Sequence, residues 1–249
     1  MLHSMKDLEG YAIHATDGDI GKGTDFYFDD DTWVIRYLVV DTGSWLSSRK
    51  VLISPIAIGK PNWVEKVLPV SITKQQVQDS PPIDTQKPVS RQHEIEFFRY
   101  YGYPLYWGGT GVWGAGAVPG MLMPGYDGAT MAPQIDQLER EADSTLADAA
   151  EHGDEDSHLR SCKAIMDYHI VATDGEIGHV QGLLVDEESW AICYMVVNTS
   201  NWWLGHQVLI APQWIKEVSW SGATVTIDHN RQAVKDAPPY DSMTRIFKP

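Results

Sequence analysis

The stretch Ala15-Thr16-Asp17-Gly18-Asp19-Ile20-Gly21 recurs as Ala172-Thr173-Asp174-Gly175-Glu176-Ile177-Gly178. A shift of 157 positions, which sets Ala172 on Ala15, aligns residues 8–84 with 165–241 without a gap. About a third of the aligned pairs are identical, which marks a duplicated unit. A chain of 249 residues built this way divides into a first small domain over residues 1–84, a connector over 85–164, a second domain over 165–241 and a tail over 242–249.

Within each copy the pattern is that of short strands. Asp17-Gly18 and Asp174-Gly175 lie between apolar runs and predict a tight type I′ hairpin turn, whose central residues need positive φ. The second strand runs through Phe26-Tyr27-Phe28 and stops at Asp29-Asp30-Asp31, which reads as a solvated turn because its spacing matches no calcium loop. Trp33 to Val40 is a β-branched and aromatic strand. Trp33, Ile35, Tyr37 and Val39 recur as Trp190, Ile192, Tyr194 and Val196, so period two assigns that face to the core. Val34, Arg36 and Leu38 become Ala191, Cys193 and Met195, a varying face that meets solvent, the connector or the other copy.

Further strands are expected at Lys50–Pro55 and near Val67–Val70, followed by a short helix that Thr73 caps and Pro81-Pro82 ends. The second copy repeats this with Val208–Pro212, Thr224–Ile227 and a short helix near Gln232–Asp236. The fold expected is mainly β: two small antiparallel barrels in tandem, each with a short C-terminal helix, joined by a partly helical or irregular connector.

That connector is far longer than an ordinary loop. His93–Tyr101 fits a short helix, Gly102–Gly128 is rich in Gly, Tyr, Trp and Pro, and Ile135, Leu138, Ala142 and Leu146 fit an amphipathic helix. An aromatic stretch without periodicity makes no core of its own. Tyr106, Trp107 and Trp113 therefore either cover the chain's own domains or its dimer mate, or face a partner. Trp45, Trp202 and Trp203 in the repeat loops carry the same choice between capping their own barrel and making an interface.

The net charge of −15 is spread over all regions, and no part is basic, which disfavours nucleic acid as a partner. Two cysteines, Cys162 and Cys193, are too few for a disulfide framework. The absence of a long apolar run or an apolar leader points to a cytoplasmic chain without an integral membrane segment. His152 and His158 lack the spacing of a metal site, and no nucleophile–base grouping or phosphate loop recurs in the copies. No catalytic residue, metal or cofactor is expected.

The motifs Ala-Thr-Asp-Gly-(Asp/Glu)-Ile-Gly, Trp-x-Ile-x-Tyr-x-Val-Val and Val-Leu-Ile-x-Pro stand in this order in both copies, with Asn201-Trp202-Trp203 and Gln213-Trp214-Ile215 in the second. On these each copy resembles a PRC-barrel domain, the module shared by the cytoplasmic part of the photosynthetic reaction-centre H subunit and the C-terminal part of a ribosome-maturation factor. The resemblance covers roughly 150 residues and implies a non-enzymatic module that holds macromolecules together. Expected partners are an unidentified protein or a second copy in a homodimer. The alternative it implies is a peripheral accessory protein of a membrane electron-transport complex, and more remotely a ribosome-associated factor.

Overall fold

The computed structural model describes residues 1–83, 89–107, 111–114, 116–122, 158–199, 206–237 and 239–240. The chain opens with β1 (Leu2–Ser4) and the single turn α1 (Met5–Leu8). The first repeat follows as β2 (Ala12–Ala15), β3 (Gly18–Asp29), β4 (Val34–Asp41), β5 (Lys50–Ile53), β6 (Val67–Pro69) and α2 (Lys74–Asp79). Then come α3 (Arg91–Tyr101) and β7 (Leu159–Ser161). The second repeat supplies β8 (His169–Ala172), β9 (Gly175–Asp186), β10 (Ile192–Asn198), β11 (Gln207–Ile210), β12 (Ile215–Ser219), β13 (Thr224–Ile227) and α4 (Arg231–Asp236).

The protein is mainly β with two sheets. In the first the strand order is β5-β4-β3-β2-β6, and in the second β11-β10-β9-β8-β13-β12. Neither sheet closes on itself among the described residues. The expectation of purely antiparallel strands is corrected: β6 runs parallel to β2 and β13 parallel to β8. The chain leaves β5 through a 3-10 turn at Pro55–Ala57 and crosses before it returns, so β6 enters beside β2 in the same direction.

The strands before each repeat are exchanged. β1 lies beside β9, with Leu2 opposite Asp186, His3 opposite Val185 and Ser4 opposite Leu184. β7, which the 157-residue shift equates with β1, pairs with β3. The flanking backbone bonds match: Glu187 N–H donates to Met1 O at 3.1 Å, and Asp30 N–H to His158 O at 3.0 Å. Contacts accordingly group Met1–Glu9 with the chain from Ser161 onward in one compact unit, and Gly10–Arg160 in the other.

The recurring heptapeptide has a local physical purpose. β2 and β3 pair with Ala15 opposite Gly18, so Thr16-Asp17 forms the turn, and Gly18 takes φ 136° just after it. Gly175 also has φ 136°, while neither Asp17 nor Asp174 has positive φ, so the type I′ expectation is corrected. The aspartates act elsewhere. Asp17 Oδ1 accepts the Lys74 N–H at 2.8 Å and Asp174 Oδ1 the Arg231 N–H at 2.8 Å, each the first residue of a helix. Ile20 and Ile177 are fully buried. A Cβ on Gly21 would sit 2.0 Å from the Asp41 carbonyl oxygen, and one on Gly178 1.9 Å from that of Asn198, so only glycine lets the strands meet there.

After β3 the acidic cluster is not a solvated turn throughout. Asp29 is buried, and its Oδ1 accepts the N–H groups of Asp31 and Thr32. Asp186 does the equivalent with Ser189. These caps hold Trp33 and Trp190 at φ 56° and 59°, a conformation bulky residues avoid unless the surroundings impose it. Helix α2 starts in a capping box between Thr73 and Gln76, and α4 on the Asn230 side chain.

Candidate functional site

Chemistry-bearing side chains gather inside the unit built on Gly10–Arg160, where α3 and the aromatic segment after it pack on β4. The strict alternation expected for β4 breaks at Arg36. Tyr27 pairs with Tyr37 but Phe28 with Ile35, which leaves Arg36 as the extra residue of a β-bulge. Arg36 and Tyr37, neighbours in sequence, both reach this cluster. A bulge occurs at Cys193 in β10, but cysteine brings no charge there. Both faces of β4 from Val34 to Val40 are buried, so the varying face is not a solvent face.

Helix α3 begins on Ser90, whose side chain accepts the His93 N–H, and ends on Gly102 at φ 68°. Spacing of three and four puts Glu94, Phe97, Phe98 and Tyr101 on one stripe, and all four are buried. Phe97 meets the Tyr37 ring edge-on at 5.2 Å, and Phe98 packs at 5.7 Å from Tyr106. An acid within that apolar stripe is excluded from water and needs compensation.

Glu94, 0% exposed, has four compensating groups. Its Oε1 accepts from Tyr37 Oη at 3.0 Å and from Tyr106 Oη at 2.7 Å. Its Oε2 lies 3.3 Å from Arg91 Nη1 and 2.9 Å from His158 Nε2. Tyr106 Oη also accepts from Arg91 Nη1 at 3.2 Å and stands 3.0 Å from His158 Nε2.

Arg36, 1% exposed, lies over the Tyr106 ring at 3.8 Å and the Trp113 ring at 4.8 Å. Its Nη1 donates to Val112 O at 2.6 Å and its Nη2 to Thr32 Oγ1 at 3.1 Å, while Nε is 3.8 Å from Asp29 Oδ2. Arg91 covers Trp107 at 4.3 Å. Two arginines thus offset two carboxylates within one buried cluster. Burial, reinforced by Glu94, holds the Tyr37 and Tyr106 hydroxyls protonated well above their ordinary range. Burial lowers Arg36 from its usual value, with Tyr106, Asp29 and Glu94 pulling the other way.

The aromatic residues expected at contacts fall in different places. Tyr106 and Trp113 are buried and packed on Arg36, and Trp107 is half-buried under Arg91. Trp45 is half-buried; its indole N–H donates to the Ile20 carbonyl and the Lys74 ammonium lies 4.6 Å over its ring. Trp202, Trp203, the amphipathic stretch at 135–146, His152 and the tail lie outside the described residues. Asp17, Gly18, Asp174 and Gly175 stand at the turns, with the tertiary caps already given.

Sequence reasoning missed Arg36, Glu94, Asp29 and His158 as one cluster. The available signal was an arginine inside a β-branched run where the other copy has cysteine. Among the described residues no group of three or more His, Cys, Asp or Glu is placed to hold a metal ion, and no helix is long and apolar enough to cross a membrane.

No family model matches the chain. It is similar to an uncharacterized protein of Deinococcus radiodurans, 39% identical over 77 residues, which cover 30% of this chain and 27% of that protein. The match therefore spans about a quarter of that relative's length.

Proposed function

We propose that the chain is a non-catalytic interaction module of tandem PRC-barrel type, which holds a protein partner or a second copy of itself. One observation carries this reading: among the described residues, those identical in both repeats are engaged in building the fold. Asp17 and Asp174 cap helices, Gly21 and Gly178 let strands approach, and Trp33 and Trp190 close the turns after β3 and β9. Among the described residues the matched positions are turns, caps and core, which is what maintenance of a fold asks of them.

The groups able to do chemistry, Arg36, Glu94, His158 and Tyr106, belong to the first repeat and the connector, and they are paired with one another inside the unit. Their role on this reading is to fasten the aromatic segment to β4, which gives the module a rigid flank. The charge of −15 favours a partner with a neutral or basic surface over nucleic acid. The test is affinity isolation of the tagged chain from its native cell at low salt, then reconstitution with the purified partner and titration calorimetry. A saturable complex of fixed stoichiometry supports the proposal; turnover of a small molecule by the isolated chain contradicts it.

A further inference from the structure

The buried cluster on β4 holds the parts of a redox-active tyrosine: we infer that Tyr106 yields one electron, through Trp107, to a small diffusible oxidant and passes its phenolic proton to Glu94. This activity is independent of the proposed partner binding, and its residues all lie in the unit Gly10–Arg160. Tyr106 Oη is 2.7 Å from Glu94 Oε1, the short bond of a hydroxyl with a carboxylate, and the two residues are 3% and 0% exposed. Burial, reinforced by Glu94, keeps Tyr106 from ionising first, so its electron and proton leave together. The oxygen left behind keeps two donors. Arg91 Nη1 stands at 3.2 Å and His158 Nε2 at 3.0 Å, the latter carrying its hydrogen because the Glu94 carboxylate 2.9 Å away only accepts.

Trp107 sets the direction of transfer. Its ring meets that of Tyr106 edge-on at 4.8 Å and is only half-buried, so an oxidant in solution reaches it. Its indole N–H is buried and among the described residues has no acceptor, so the oxidised ring keeps its proton and its charge. The Arg91 guanidinium 4.3 Å over the same ring opposes that charge in a site of low dielectric. A neutral tyrosyl radical meets no such repulsion, so an electron moves from Tyr106 to Trp107. In balance, the oxidant gains one electron, the Tyr106 O–H bond breaks and its proton binds Glu94 Oε1. The products are a neutral phenoxyl radical and a neutral carboxylic acid. Tyr37 also donates to Glu94 Oε1, at 3.0 Å, but its ring neighbours among the described residues are Phe97 and Phe98, which are harder to oxidise than tryptophan. The charge of −15 repels anionic oxidants and admits neutral or cationic ones.

The experiment oxidises the full chain with flash-generated tris(bipyridine)ruthenium(III), uses pentamminechlorocobalt(III) as the electron sink, and records electron paramagnetic resonance after freezing. The parent chain is compared with Tyr106→Phe, Tyr37→Phe and Glu94→Gln, each checked for native near-ultraviolet circular dichroism. The expected result is a tyrosyl signal in the parent and in Tyr37→Phe that ascorbate removes more slowly than it removes the radical of free tyrosine. That persistent signal is lost in Tyr106→Phe, and also in Glu94→Gln, whose amide takes no proton. Its survival in Tyr106→Phe or Glu94→Gln overturns the inference, as does its absence from the parent or from Tyr37→Phe. Should Tyr106→Phe or Glu94→Gln misfold, Trp107→Phe at the half-buried position decides: the tyrosyl yield falls once the entry ring is removed, and an unchanged yield overturns the inference.

Discussion

Asp17 accepts the backbone N–H of Lys74 across 57 residues of chain, and the same bond forms between Asp174 and Arg231. A hairpin turn thereby satisfies one of the donors that each helix start leaves open. The aspartate adds one bond to a helix start that is already capped by Thr73 or Asn230, whereas the turn itself depends on the glycine that follows it. Replacement of Asp17 or Asp174 by alanine is expected to lower stability by about 1 kcal/mol each, with asparagine retaining most of it. Urea unfolding of the two single variants and the double variant checks this, and the two losses add because the sites share no partner.

Gly21→Ala and Gly178→Ala test the close approach. The added carbon would overlap a backbone carbonyl, which cannot rotate away as a flexible side chain would. Each substitution is expected to cost more than about 3 kcal/mol, in the range reserved for backbone and core disruption. Thermal melts read the effect, and Gly43→Ala, where a Cβ meets nothing within 4 Å, shows how much smaller the cost of backbone strain alone is.

The buried carboxylate of Glu94 predicts strong coupling. Glu94→Ala leaves Arg91, His158 and two tyrosine hydroxyls without their shared acceptor and is expected to cost about 3–5 kcal/mol. Tyr106→Phe removes the bond to the Glu94 carboxylate together with the hydroxyl's contacts to Arg91 and His158, and should cost at least about 1.5–3 kcal/mol. The double variant should cost less than the sum by about 0.5–3 kcal/mol. A coupling near zero in chemical denaturation would show that the two groups do not act together in the buried cluster.

Alkaline solution tests the burial of the tyrosines. Desolvation holds Tyr37 and Tyr106 protonated well above their ordinary range, does the same for Tyr101, and pushes Tyr103 up to about 12. In the unfolded chain all four ionise near pH 10. The folded form then binds more protons than the unfolded form above pH 10, so stability is complete below that pH and falls as pH rises toward 12. The slope is about 1.4 kcal/mol per pH unit for each tyrosine still protonated. Tyrosinate absorbance should lag behind that of the denatured chain over this window, and stability that stayed flat from pH 10 to 12 would contradict the account.

Much of the fold is legible in the sequence because its signals are local. The strand runs and the cap at Thr73 depend on residues within a few positions of one another, and the repeat needs only the sequence set against itself. The parallel placement of β6 and the exchange of β1 and β7 depend on which distant edge a three-residue strand meets, and three residues carry no periodicity. The bulge at Arg36 is invisible without its partner strand, since one extra residue leaves the composition of β4 unchanged. Glu94 defeats the rule that acids face water because its four compensating groups come from three other parts of the chain and from α3 itself.

The central claim is that the matched residues of the two repeats build structure and grip no small molecule. Native mass spectrometry of the protein isolated from its own cell, beside a variant with Asp17→Asn and Asp174→Asn, tests it most directly. The account predicts masses equal to the polypeptide, alone, doubled or with a protein partner, and the same set for the variant. A small molecule of constant mass, retained by the native chain and lost from the variant, would contradict it.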